Sequence, residues 1–136
     1  MKQIKLILAL GLLLITANLS YAQMSDWKQQ KDFHAVMSKT FHPAEEGNYQ
    51  PIKTRSAELA AKAAAWKNSA MPESIQNKKE VKKTLKKLSK DAGKLDRKIK
   101  NGVSDEVLKT DLIALHDTFH TLVGLCNAKE DHNHEH

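Results

Sequence analysis

One cysteine, three prolines and five glycines among 136 residues narrow what this chain can be. A lone thiol, Cys126, cannot close an internal disulfide, so the fold has to hold without a covalent cross-link. Cys126 falls on an apolar stripe and reads as a buried thiol, with a metal ligand or an intermolecular bridge as alternatives. So little glycine leaves no phosphate-cradling loop and no nucleophile–base pair beside a Gly-rich turn. No carboxylate pair falls in an apolar layer. The chain is therefore not expected to be an enzyme, and no catalytic residue is assigned. No stretch alternates polar and apolar residues in the manner of a strand.

A secretory leader is expected over residues 1–22. Lys2 and Lys5 form a basic head, "LILALGLLLITANL" is the apolar run, and "SYA" supplies small residues for cleavage between Ala22 and Gln23. The run is short for a membrane span, no stop-transfer pattern follows, and no cysteine follows it to accept a lipid. These features predict an exported protein of a Gram-negative periplasm, with no stable membrane insertion after cleavage. Loss of Lys2 and Lys5 lowers the formal charge from +6 to +4. Much of the excess lies in "NKKEVKKTLKKLSKDAGKLDRKIK", which reads as a solvated helix face; nucleic acid is not an expected partner.

Residues 23–128 repeat apolar positions at three- and four-residue steps in four segments. The first starts after Ser25, carries Trp27, His34, Met37 and Phe41 with Phe33 on the shoulder, and ends at Pro43 and Gly47–Asn48. The second opens at Pro51 and places Ile52, Ser56, Leu59, Ala63 and Trp66 on one face. The third carries Val81, Leu85, Leu88, Ala92, Leu95 and Ile99 and closes at Gly102. The fourth, capped by Ser104, carries Leu108, Leu112, Leu115, Phe119, Leu122 and Cys126. Four such segments predict an all-α, antiparallel up-down-up-down four-helix bundle. The first connection, "HPAEEGNYQ", is longer than a tight helical hairpin needs. Residues 129–136 are expected to form a flexible His-rich tail.

Histidine then becomes the informative residue. His116 and His120 in "LHDTFH" lie one helical turn apart on one side of the fourth segment. If the first and last helices are antiparallel neighbours with Trp27 level with Cys126, facing residues have numbers summing to about 153. His34 is then level with position 119 and Met37 with His116, so three histidines and a thioether share one layer. Two imidazoles one turn apart can chelate Cu, Zn or Ni, a third from a facing helix completes a tripod, and Met37 would favour copper. Met37 reads equally as core filler, and His34 as a hydrogen-bonded core histidine. His42 and Glu46 form a weaker accessory set, with Asp111 level with them; His132, His134 and His136 in the tail are loose ligands.

The segments "FHAVMSKTF", "RSAELAAKAAAWKNSAMPE" and "HDTFH" resemble the cytochrome c′ and cytochrome b562 group of periplasmic four-helix bundles. The resemblance implies a haem between the helices with its axial histidine on the last one, at His120. His116 and Phe119 stand where the c′ type has its two attachment cysteines, so covalent haem is excluded. The b562 type implies a haem b held by Met37 and His120, with Ala60, Ala61, Ala63, Ala64 and Ala65 leaving it room.

The expected function is a periplasmic bundle binding a transition metal ion through His34, His116, His120 and Met37, for buffering, transport or sensing. A periplasmic metal-transport protein is the expected partner, and homodimer formation is left open. The alternatives are a haem-b electron carrier and a structural or partner-binding bundle whose histidines are incidental.

Overall fold

The computed structural model describes residues 26–128. The leader, the Ser25 cap and the tail histidines lie outside the described residues. Four helices run Lys28–Glu45 (α1), Gln50–Asn68 (α2), Lys78–Lys100 (α3) and Asp105–Asn127 (α4). Each packs against the next in sequence and α4 returns to α1, while the diagonal α2 and α4 meet only through the tips of core side chains such as Trp66 and Phe119, 6.1 Å between centroids, which makes a square four-helix bundle. No helix among the described residues is long and apolar enough to cross a membrane.

The inward faces follow from helical periodicity. Ile52, Ser56, Leu59, Ala63 and Trp66 are the buried positions of α2, and Leu108, Leu112, Leu115, Phe119, Leu122 and Cys126 those of α4. On α3 the stripe from Val81 to Leu95 is buried as the spacing predicts. Pro51 occupies the first turn of α2, where its missing amide hydrogen leaves no hydrogen bond unmade. Ser104 Oγ accepts from Val107 N–H at 3.3 Å and caps α4.

The start and end of α1 differ from expectation. Trp27, not Ser25, is the cap residue, and its side chain makes no cap hydrogen bond. The helix also passes through Pro43 to Glu45. Proline there forgoes its own N–H bond to the carbonyl four residues back and crowds that carbonyl, and the helix ends two residues later. Gly47, at φ +86°, is what ends the helix: its N–H bonds Ala44 O at 3.0 Å and Asn48 N–H bonds Pro43 O at 2.9 Å. Gly102, at φ +75°, ends α3 in the same way, with Val103 N–H on Lys98 O and Gly102 N–H on Ile99 O, both at 3.0 Å. Because α1 runs on, the α1–α2 connection is short. The longest loop is instead 69–77, pinned by Ile75, which is 2% exposed.

Aromatic rings fill the interior near the start of α1. Trp66 meets Trp27 edge-on at 5.8 Å between centroids and Phe33 at 5.7 Å; Phe33 meets Phe119 at 5.5 Å. Such pairs add to the hydrophobic gain from burying each ring. Trp27 Nε1–H donates to Ser69 Oγ at 2.8 Å, tying the start of α1 to the end of α2.

A polar device crosses the α2–α3 interface. Ser56 Oγ–H donates to Asp96 Oδ1 and Lys100 Nζ–H to Asp96 Oδ2, both at 2.8 Å. The Lys100 hydrogen bond, supported by Ser56, outweighs desolvation and holds the Asp96 carboxyl below its ordinary pKa.

Candidate metal centre

The α1–α4 contact is the sparsest of the four. Rings from both helices separate them: Phe33 against Phe119, His34 against Phe119, and Phe41 against His116. The gap is a cavity of about 240 Å³ whose lining includes His34, Met37, His42, Glu45, His116 and His120.

At its centre is the pair from "LHDTFH". The Nε2 atoms of His116 and His120 are 3.2 Å apart, with the two rings nearly perpendicular at 83°. His116 is half-buried and His120 exposed. The His116 ring lies on Phe41 at 3.7 Å between centroids and 6° from parallel, so this flank of α4 faces α1. Burial first, and the neighbouring His120 second, lower the His116 pKa below its ordinary 6.5. A neutral imidazole keeps the lone pair that a metal ion requires.

The remaining expected ligands line the cavity without converging on that pair. The His34 ring stacks on Phe119 at 5.4 Å and 10°, the residue that the register set level with it. Its Nε2 lies 3.2 Å from Ser38 Oγ on its own helix, so a local i,i+4 partner occupies that nitrogen. Met37 is 1% exposed and packs as core. His42 Nδ1 is 3.2 Å from Glu45 Oε2, both side chains largely in solvent. The acid beside His42 is thus Glu45; Glu46 caps the helix and does not line the cavity. Asp111 faces α3 instead, pairing with Lys98 at 2.6 Å. Among the described residues, no group of three or more His, Cys, Asp and Glu could hold a metal ion.

Sequence spacing missed Phe41 as the plate behind His116, because a register summing to about 153 sets position 112 opposite it. The i,i+3 spacing of His42 and Glu45 was the available signal for that pair.

Cys126 is free and buried six residues beyond His120, and burial pushes its thiol up to about 11. A protonated thiol is a poor ligand and a poor nucleophile.

Comparisons with protein-family models, with curated proteins and with solved structures find no match for this chain.

Proposed function

We propose that this chain is an exported four-helix bundle that binds a transition metal ion of the Cu, Zn or Ni class at His116 and His120, for buffering, transport or sensing. The observation that carries the reading is the 3.2 Å separation of the two Nε2 atoms. Two nitrogens each about 2.05 Å from one tetrahedral ion lie about 3.3 Å apart, so the pair has the spacing of a chelate once an ion displaces the proton that the two rings share as a hydrogen bond. The lowered His116 pKa supports it further, since little additional proton has to be displaced near neutral pH. Further ligands would come from Glu45 or His42, which are exposed and would exchange their mutual contact for the ion, or from water. An ion held by two fixed and two adjustable ligands exchanges readily, which suits carriage or sensing more than a closed structural site.

The haem-b alternative has less support. A cavity of about 240 Å³ is below the roughly 300–1,000 Å³ of pockets that take drug-sized ligands. Trp27, Phe33, Trp66 and Phe119 fill the neighbouring interior, and only Ala63 of the five alanines is fully buried. Met37 is packed in the core while His120 Nε2 is turned to His116. The residues present do not fit a porphyrin.

The test is a Cu²⁺ and Zn²⁺ titration of the chain truncated after Glu130, so that the tail histidines cannot contribute, beside His116→Ala/His120→Ala. One tight equivalent that the double variant loses supports the site. Weak binding unchanged by the substitutions would return these histidines to the surface of a partner-binding or structural bundle.

A further inference from the structure

Helix α3 carries eleven Lys and Arg against three Asp and Glu, a net of +8. The whole chain is +6, so everything outside this helix sums to −2. The basic character of the protein therefore belongs to one helix.

Within α3 the charge is confined further. Lys79, Lys82, Lys83, Lys86, Lys90 and Lys94 are all exposed. At 3.6 residues per turn they fall within an arc of about 120° and extend about 22 Å along the axis. The three acids lie outside that arc: Asp96 bonds inward to Ser56, Asp91 is taken by Lys87, and Glu80 is on the flank. Among the described residues none of the six lysines forms an ion pair, whereas Lys87 and Lys98 on the flank of α3 do, and Lys100, in line with Lys82 but beyond the row, pairs with Asp96. Six like charges left unneutralised along one face repel one another and lower helix stability. A polyanion laid along the face would relieve that repulsion.

The chemistry of the face selects the anion. It is six lysines with a single exposed arginine, Arg97, in line with Lys79 at the far end, so paired arginine forks that read phosphates or bases with fixed geometry are lacking, and α3 has no aromatic side chain on which a base could stack. It also lacks the aromatic or apolar anchor that specific protein interfaces are built around. Mobile point charges on a straight, wholly polar face suit an anionic lipid surface, whose headgroups rearrange around the ligand. We infer that the lysine face of α3 docks this bundle peripherally on anionic phospholipid. Because α3 is diagonal to α1 in the square, docking through α3 leaves the outer side of α1 turned away from the lipid. The inference does not depend on metal binding.

The test is co-sedimentation of the protein, purified as the cell processes it, with phosphatidylcholine vesicles containing or lacking phosphatidylglycerol. Binding is expected only with phosphatidylglycerol. It should disappear as salt rises from about 0.1 M to about 1 M, where the screening length falls from about 10 Å to about 3 Å. Lys83→Glu/Lys86→Glu/Lys90→Glu should weaken binding about 100-fold, from roughly fivefold per lysine near an anionic surface. Lys39→Glu/Lys67→Glu/Lys109→Glu carries the same net charge outside α3 and should stay within a few-fold of the parent. The salt response of the parent tests whether binding is electrostatic, and Lys83→Gln/Lys86→Gln/Lys90→Gln, which removes charge without reversing it, tests the face should the glutamate variant fail to fold. No binding to phosphatidylglycerol vesicles, or equal loss in the face and control variants, overturns the proposal. Tighter binding to duplex DNA or polyglutamate at the same salt also overturns it, by assigning the face to another anion.

Discussion

Phe41 on α1 lies flat against His116 on α4, 3.7 Å between ring centroids and 6° from parallel, and so fixes the plane of one imidazole of the histidine pair. A ligand held in its binding orientation loses less freedom when the ion arrives. Phe41 should therefore act on metal affinity without touching the metal, as orienting neighbours do at other metal sites.

Replacing Phe41 with Leu keeps an apolar side chain in the core but removes the plate. Metal affinity is expected to fall on the order of 10-fold, within the 10–100-fold range for loss of an orienting neighbour. The fold should survive, since a hydrophobic exchange of this kind costs far less than truncation to alanine, about 3–5 kcal/mol. Calorimetric titration gives the affinity and thermal unfolding gives the control. An affinity unchanged in a folded Phe41→Leu would mean that the plate does not orient His116.

Protonation should act on the same pair. The His116 pKa is lowered in the folded state, so the native protein binds fewer protons there than the unfolded chain does. The stability this group contributes is present above the unfolded value of about 6.5. It is lost as pH falls through that value toward the lower, folded one. Stability measured between about pH 7.5 and pH 5 should therefore decline on acidification, and more steeply than in His116→Gln. In His120→Ala the His116 pKa, followed by NMR, should rise toward its ordinary value but stay below it. The neighbouring charge is then gone while burial, the larger cause, remains.

The legible and illegible parts of this molecule separate by range. The stripes of α2, α3 and α4 were readable because burial on a helix repeats every three to four residues, and Leu59, Leu88 or Leu115 report it independently of their partners. Gly47 and Gly102 were readable as stops because positive φ favours glycine. Pro43 misled, since sequence does not reveal whether a proline sits in a last turn or beyond it. At the site, one antiparallel register set His34 level with Phe119, where it stacks. Register cannot supply rotamers, however, and the choice of Ser38 by His34 is a rotamer. Asp96 was invisible for a related reason: it is a carboxylate at the edge of an apolar stripe, and its partner Ser56 is on another helix.

That Asp96 link should be measurable. Asp96→Ala leaves the buried Ser56 hydroxyl without its acceptor and frees Lys100, at a cost of about 1–3 kcal/mol. A domain of this size then loses several degrees of melting temperature for each kcal/mol, on the order of 4–8 °C. Exposed pairs such as Arg55–Glu58 should cost little when broken, because solvent screens them. The Asp96 pKa is lowered, so its contribution is present above the ordinary carboxyl value of 3.8 and disappears as pH falls below it. Urea unfolding at neutral and strongly acid pH checks both parts: parent and Asp96→Ala should differ at the first and converge at the second.

Cys126 gives the last prediction, and it bears on whether thiolate takes any part in metal binding. The side chain is 8% exposed, and burial raises its thiol to about 11, so at neutral pH almost none of it is thiolate. Attack on a disulfide reagent needs both the thiolate and a path to it, and the folded bundle restricts both. The native protein should therefore react with such a reagent only at the rate at which it opens, with full reactivity appearing in denaturant. Cys126→Ser should leave metal stoichiometry and affinity at the histidine pair unchanged. It should cost stability instead, because a hydroxyl in that apolar slot lacks a partner. Fast labelling of the native protein, or loss of metal affinity in the folded Cys126→Ser, would bring the sulfur back into the site. Slow labelling with unchanged affinity would leave the chelate to nitrogen and oxygen ligands alone, which favours Zn²⁺, Ni²⁺ or Cu²⁺ over Cu⁺.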